Sequence, residues 1–168
     1  MKKMLLVTWF LGLIVALSLS VEEKKIFQLM AVDGGPFHTK EEALKPYGGE
    51  LAGDLIILEG TTKDWFVVKA QSVITTQDFQ SVTGTKDSMG NPAVLFTLKP
   101  EPAEKLKLFT TMNRGKRLAM VLDNRVMMAP VVQTVISKEF IIIGNYTWEE
   151  IEDIVKQTRS AMGDAASH

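Results

Sequence analysis

From residue 25 to residue 145 the chain is dominated by runs of apolar residues interleaved with polar ones, each closed by glycine, proline, aspartate or asparagine. Runs of this length, rich in valine, isoleucine and phenylalanine, predict strands with a half-buried pleat. "KIFQLMAV" (25–32) alternates and is closed by the turn signal "DGGP", in which Asp33 is suited to bonding its own backbone. "DLIILEG" and "DWFVVKAQSVI" are two further strands separated by "GTTKD", and "FQSVTGT" with "AVLFTL" predicts a hairpin around the loose loop "KDSMGNP". After residue 116, "KRLAMVL", "RVMMAPVVQTVI" and "EFIIIGN" follow as strands. The first two are joined by Asp123-Asn124, residues that tolerate the left-handed backbone of a two-residue turn.

Helical spacing interrupts this pattern in three places. Thr39 and Glu42 form a capping box for a short helix in "TKEEALKP", which Pro46 stops. "PEPAEKLKLFTTMNRG" predicts a helix opening at Pro102, with Ala103, Leu106, Phe109 or Thr110, and Asn113 on one face and Gly115 ending it. "NYTWEEIEDIVKQTRSAMG" carries a second capping box, Thr147 with Glu150, ahead of a stripe of Trp148, Ile151, Ile154 or Val155, and Thr158. Glu149 and Glu150 sit at the positive end of that helix, Lys156 and Arg159 toward the negative one. Strands, a helix, three strands and a final helix make the class α+β: an antiparallel β-sheet with two main helices packed on one face.

Composition narrows the function. The chain has 168 residues, 46% hydrophobic and 23% charged, with a net charge of −1, which suits one buried core and excludes a basic nucleic-acid binder. Without cysteine there is no disulfide, thiolate nucleophile or thiolate-ligated metal. The amino-terminal "MKKMLLVTWFLGLIVALSLS" has a basic tip, an apolar run and small residues at Ala16, Ser18 and Ser20, the layout of a secretory signal. Cleavage after Ser18 or Ser20, or retention as a membrane anchor through residues 4–19, are the two expectations, and both place the rest of the chain outside the cytoplasm. The partition is then 1–20 signal or anchor, 21–63 an N-terminal extension of strand, short helix and strand, 64–162 the main α+β domain, and 163–168 a tail.

Candidate chemistry is sparse. The only histidines are His38 and His168, so a catalytic triad or multi-histidine metal site is excluded, and Asp33 with His38 reads as a turn aspartate beside a solvated histidine. No catalytic, cofactor-binding or metal-binding residue is assigned, no cofactor is expected, and the chain is not read as an enzyme. A binding surface is the remaining possibility. Met120, Met127 and Met128 cluster at the predicted hairpin, and their flexible thioethers suit contact with varied apolar segments. Pro130 cannot donate to a ladder, which places this strand, Val126 to Val132, at an edge or bulge where an extended chain adds by strand pairing. The candidate polypeptide-binding residues are therefore Met120, Val126, Met127, Met128, Pro130 and Val132. The competing reading makes Leu118, Met120 and Leu122 core, turns one of Met127 and Met128 inward, and makes Pro130 a device against edge aggregation.

These residues also carry a resemblance. Thr110, Asn113, Gly115, Lys116, Leu118, Ala119, Asp123, Val126, Ala129 and Pro130, followed by Ile142, Ile143, Gly144 and the acidic "TWEEIEDIV", stand in the order and spacing of the head subdomain of the first periplasmic region of SecD, the accessory of the Sec protein-export translocase. The likeness runs over about residues 64–160, more weakly in "WFVVKAQSVITTQDF", and departs at Asn124, Met128 and "SKEF". It implies a periplasmic domain, free or anchored in the inner membrane, that contacts exported or unfolded polypeptide or the translocon. The alternative is a structural or regulatory envelope domain with a folded protein partner. SecD proper has many transmembrane helices that carry its proton-driven work, so a stand-alone head is expected not to couple to the proton gradient.

Overall fold

The computed structural model describes residues 27–163, so the predicted signal or anchor, the start of the extension and the last five residues lie outside the described residues. The elements are β1 (Phe27–Phe37), α1 (Lys40–Leu44), β2 (Leu55–Gly60), β3 (Trp65–Thr75), β4 (Phe79–Lys86), β5 (Pro92–Leu98), α2 (Pro100–Met112), β6 (Leu118–Leu122), β7 (Arg125–Met128), β8 (Glu139–Ile143) and α3 (Trp148–Gly163).

The class is α+β, and the strands divide between two sheets. Five close into a barrel in the order β1-β3-β2-β7-β6, and the other three form a sheet in the order β4-β5-β8. All pairings are antiparallel except β2 with β7, where Glu59 and Gly60 lie opposite Arg125 and Val126 and complete the barrel. Residues 27–60, read from sequence as an extension, thus supply two of the barrel's five strands. The "DGGP" turn signal also has a different outcome: β1 runs through it to Phe37, with register shifts against β3 at Met30, Val32 and Gly34. Gly35 explains the continuation. Its φ is 120°, and a Cβ there would lie 2.8 Å from the Trp65 carbonyl oxygen, so a glycine lets this bulged strand pass close to β3.

Two cores follow from the period-2 alternation of side chains. Met30, Leu58, Phe66, Val68, Ala119, Val121 and Val126 fill the barrel. The alternate residues of the same strands, Phe27 and Leu29 of β1 with Leu118 and Met120 of β6, face outward into a second core. That core is completed by Val82, Val94, Phe96 and Ile142 of the three-stranded sheet, Ala103 and Leu106 of α2, and Ile151 and Val155 of α3. The ring of Phe96 stacks on Phe27 (4.8 Å) and Phe140 (5.1 Å) and tilts against Phe79 (4.9 Å). Each fully buried leucine, isoleucine or phenylalanine here contributes about 1.5–3 kcal/mol of transfer free energy.

Candidate polypeptide-binding site

The β6–β7 hairpin turns at Asp123 and Asn124, whose φ values of 51° and 60° are left-handed as their residue types predict. Met120 lies opposite Met128 and Val121 opposite Val126, so Met127 is the extra residue of a bulge. The bulge breaks the alternation that would send one methionine inward and the other outward. Met128 packs on the inter-layer core, and Met127 lines the same side, in a narrow seam of about 20 Å³ with Met120, Leu122, Tyr146 and Ile154. Burial, and Glu150 nearby, push the Tyr146 phenol up. Met127 and Met128 are half-buried and Pro130 is exposed, whereas Met120, Val126 and Val132 are buried.

Of the two expectations, edge or bulge, the structure forms the bulge, and the strand's open edge is corrected. At Arg125 and Val126 β7 is paired on both sides, by β6 and by β2, and Thr61 N–H donates to the Val126 carbonyl (3.0 Å). Beyond Met128 the chain leaves regular strand geometry, yet Leu118 N–H still donates to the Pro130 carbonyl (3.0 Å) and Val132 N–H to the Lys116 carbonyl (2.8 Å). Three of the six sequence-derived residues are thus structural, and the accessible part of the hairpin is Met127, Met128 and Pro130.

A larger apolar surface lies under α2. Proline is tolerated in a first helical turn, so α2 begins at Pro100, two residues before the predicted start. It turns Ala103, Leu106 and Thr110 into the core. Thr110 is satisfied there: its hydroxyl donates to the Leu106 carbonyl (2.8 Å) and accepts from Ile136 N–H (3.0 Å). Off that stripe, Leu108 is 63% and Met112 73% exposed. Together with Phe109, Ala31 and Val73 they line a groove of about 470 Å³ between α2 and the β1–β3 wall of the barrel. Lys69, held by Asp54 at 2.9 Å, and Lys105 border it. The Lys69 ammonium holds the Asp54 carboxyl below its usual range, and the pair is solvated, so it fixes rim geometry more than it stabilises. Sequence reasoning passed over Leu108 and Met112, although both are apolar positions off the buried stripe of an amphipathic helix, a usable signal.

The Asp33–His38 pair does not come together as a site. Asp33 accepts a hydrogen bond from the Tyr47 hydroxyl (2.6 Å), while His38 is exposed and its N–H donates to Glu42 (3.2 Å) ahead of the Thr39 cap of α1. Among the described residues no group of three histidine, aspartate or glutamate side chains is placed to hold a metal ion.

Residues 54–162, more than half of the chain, match the family described as the SecDF P1 head subdomain. The chain is 47% identical over 92 residues to the protein translocase subunit SecD of Aquifex aeolicus, a match covering 55% of this chain and 18% of that protein. It is 38% identical over 89 residues to the SecDF subunit of Thermus thermophilus, covering 52% and 12%. It therefore spans about a fifth or less of these relatives. Among solved structures, SecDF in its super-membrane-facing form superposes with a TM-score of 0.60 at 29% identity, over 82% of this chain and 19% of that one. A structure described as a membrane component SecDF that enhances protein export gives 0.59 at 29% identity, over 82% and 63%.

Proposed function

The chain belongs to the SecDF P1 head subdomain family, and from that premise we propose that it acts outside the cytoplasmic membrane as a non-enzymatic surface holding apolar segments of exported or unfolded polypeptide. The observation that carries this reading is the groove beneath α2. Leu108 and Met112 stand exposed on a rigid helix over an open, mainly apolar groove of about 470 Å³, large enough for two or three side chains. Methionine and leucine at its lip accommodate varied apolar partners, and Lys69 and Lys105 keep it solvated when empty. The half-buried Met127 and Met128 with exposed Pro130 form a second, smaller contact on the hairpin. That a structural relative, the membrane component SecDF, enhances protein export agrees with a role in handling the translocating chain.

The test is a titration of the isotope-labelled 168-residue chain with a reduced, unfolded exported protein, followed by amide NMR. Shifts clustered on residues 105–113 and 69–73, and loss of most of the affinity in Leu108→Asp, are expected. Silence at near-millimolar polypeptide would refute the reading and favour a folded envelope or translocon partner instead.

A further inference from the structure

A second kind of recognition surface lies at the outer edge of the three-stranded sheet. Strand β4 has β5 on one side only. Two hydrogen bonds define which main-chain groups point which way. Asp87 N–H donates to the Asn91 carbonyl (2.9 Å), and Leu98 N–H donates to the Lys138 carbonyl (2.8 Å). Antiparallel pairing alternates, so Ala93, Leu95 and Thr97 of β5 bond to β4, and Val94, Phe96 and Leu98 bond to β8. By register, Thr85, Thr83 and Ser81 use their main chain on β5, while Val82, Gly84 and Lys86 turn theirs outward. A side chain confirms the assignment: the Arg159 guanidinium Nε donates to the Val82 carbonyl from α3 at 2.8 Å. Among the described residues, no hydrogen bond engages the outward N–H and C=O of Gly84.

Alongside this edge α3 runs antiparallel to β4, with Trp148 beside Gly84 and Arg159 beside Val82. Between them lies a groove of about 510 Å³ whose apolar wall is Trp148, Ile151 and Val155 and whose floor opens at Gly84. A Cβ at position 84 would stand 3.2 Å from the Ile151 methyl Cγ2, so the glycine lets the helix sit this close to the strand. Trp148, 42% exposed, closes one end without covering the edge. The charges agree with one class of occupant. Lys156 and Arg159 line the groove against Glu152, a net positive charge, while at the Trp148 end Lys86 is set against the neighbouring Glu149.

We propose that the β4 edge is a strand-addition site: it takes an extended polypeptide segment as a fourth strand of the sheet, apolar at alternate positions and flanked by carboxylates. The inference rests on the reading that this domain handles non-native chains, and it supplies a mode of capture that the groove beneath α2 lacks. Main-chain bonds to Gly84 and Lys86 give sequence-tolerant affinity, the exposed Trp148 ring packs on an apolar side chain, and Lys156 with Arg159 favours an acidic flank.

The experiment titrates the labelled 168-residue chain with the peptide acetyl-Asp-Val-Thr-Val-Thr-Val-Asp-amide and with two versions N-methylated at its odd or its even residues. The expected result is a shift of the Gly84 and Lys86 amides and the Trp148 indole, weakened about tenfold in one methylated peptide and unchanged in the other, because an added strand bonds through one of its two edges. Trp148→Glu and Lys86→Pro are expected to weaken it similarly. Equal binding by both methylated peptides, or shifts confined to residues 105–113, would overturn the strand-addition site. Shifts confined to 105–113 leave the groove beneath α2 standing, shifts at Gly84 alone relocate binding to this edge, and silence at both refutes both. Concentration-dependent broadening at Gly84 without peptide would identify a second copy as the occupant and overturn the proposal.

Discussion

Replacing Thr76 with valine tests how the barrel is tied to the rest of the molecule. Thr76 sits in the single 3-10 turn between β3 and β4 and is 2% exposed. Its hydroxyl accepts from Phe27 N–H (2.8 Å) and donates to the Phe27 carbonyl (3.1 Å), and Phe27 itself is buried. Valine preserves shape and removes both bonds. The net loss of two hydrogen bonds is about 1–3 kcal/mol, and stranding a buried main-chain donor and acceptor adds to it, so about 2–4 kcal/mol is expected in total. At about 2–4 °C per kcal/mol for a domain of this size, the melting temperature falls by about 5–15 °C. Urea denaturation followed by tryptophan fluorescence measures the first quantity, with Thr76→Ser as the control that keeps the hydroxyl. A Thr76→Val protein within about 0.5 kcal/mol of the parent, at unchanged denaturant slope, would show that water or backbone relaxation replaces both bonds and would refute the argument.

Leu108→Asp and Met112→Asp, at exposed positions of α2, are expected to stay within about 0.5 kcal/mol of the parent stability while weakening polypeptide binding, read by denaturation and titration side by side. Absorbance at 295 nm reports the chain's two tyrosines, and burial with the Asp33 hydrogen bond pushes Tyr47 up to about 12, so Tyr47 titrates late and Asp33→Asn brings it down. Because the folded value lies above the ordinary 10, the stability linked to Tyr47 is present below pH 10 and is lost as pH rises through about 12. Asp87 accepts from Asn91 Nδ2 and from the N–H groups of Asn91 and Met89, which hold its carboxyl below the usual range. Its contribution is therefore present above the ordinary carboxylate value and lost in acid, as carboxyl NMR titration of the parent against Asn91→Ala would show.

Local signals were legible wherever one residue's chemistry decides the backbone. The Thr147–Glu150 box starts α3, with Thr147 N–H donating to Glu150 (2.8 Å) and Glu150 N–H donating back (3.2 Å), and the Asp123–Asn124 turn stands where it was read. What sequence could not supply was closure. "DGGP" has the chemistry of a turn, but pairing with β3 at Val32, Gly34 and Phe37 carries the strand through it. "RVMMAPVVQTVI" reads as one strand, yet only Arg125–Met128 remains regular, because Met127 is an inserted bulge residue and Pro130 lacks a donor. The candidate site suffered in the same way. Burial of Val126 depends on which strand lies across the barrel, and burial of Met120 and Val132 on the sheet and helices packed outside it, information absent from any window of a dozen residues.

The strand β6 gives this domain a shared wall. Ala119 and Val121 belong to the barrel interior and Leu118 and Met120 to the layer between barrel and sheet, so neighbours one peptide apart serve different cores. A wall one strand thick leaves neither core able to loosen alone: a volume change at Ala119 is felt at Met120 and from there along Phe27 to Phe96. Barrel, sheet and helices should accordingly melt in one transition, and strain introduced at any binding edge should reach the opposite side of the molecule through five residues of chain.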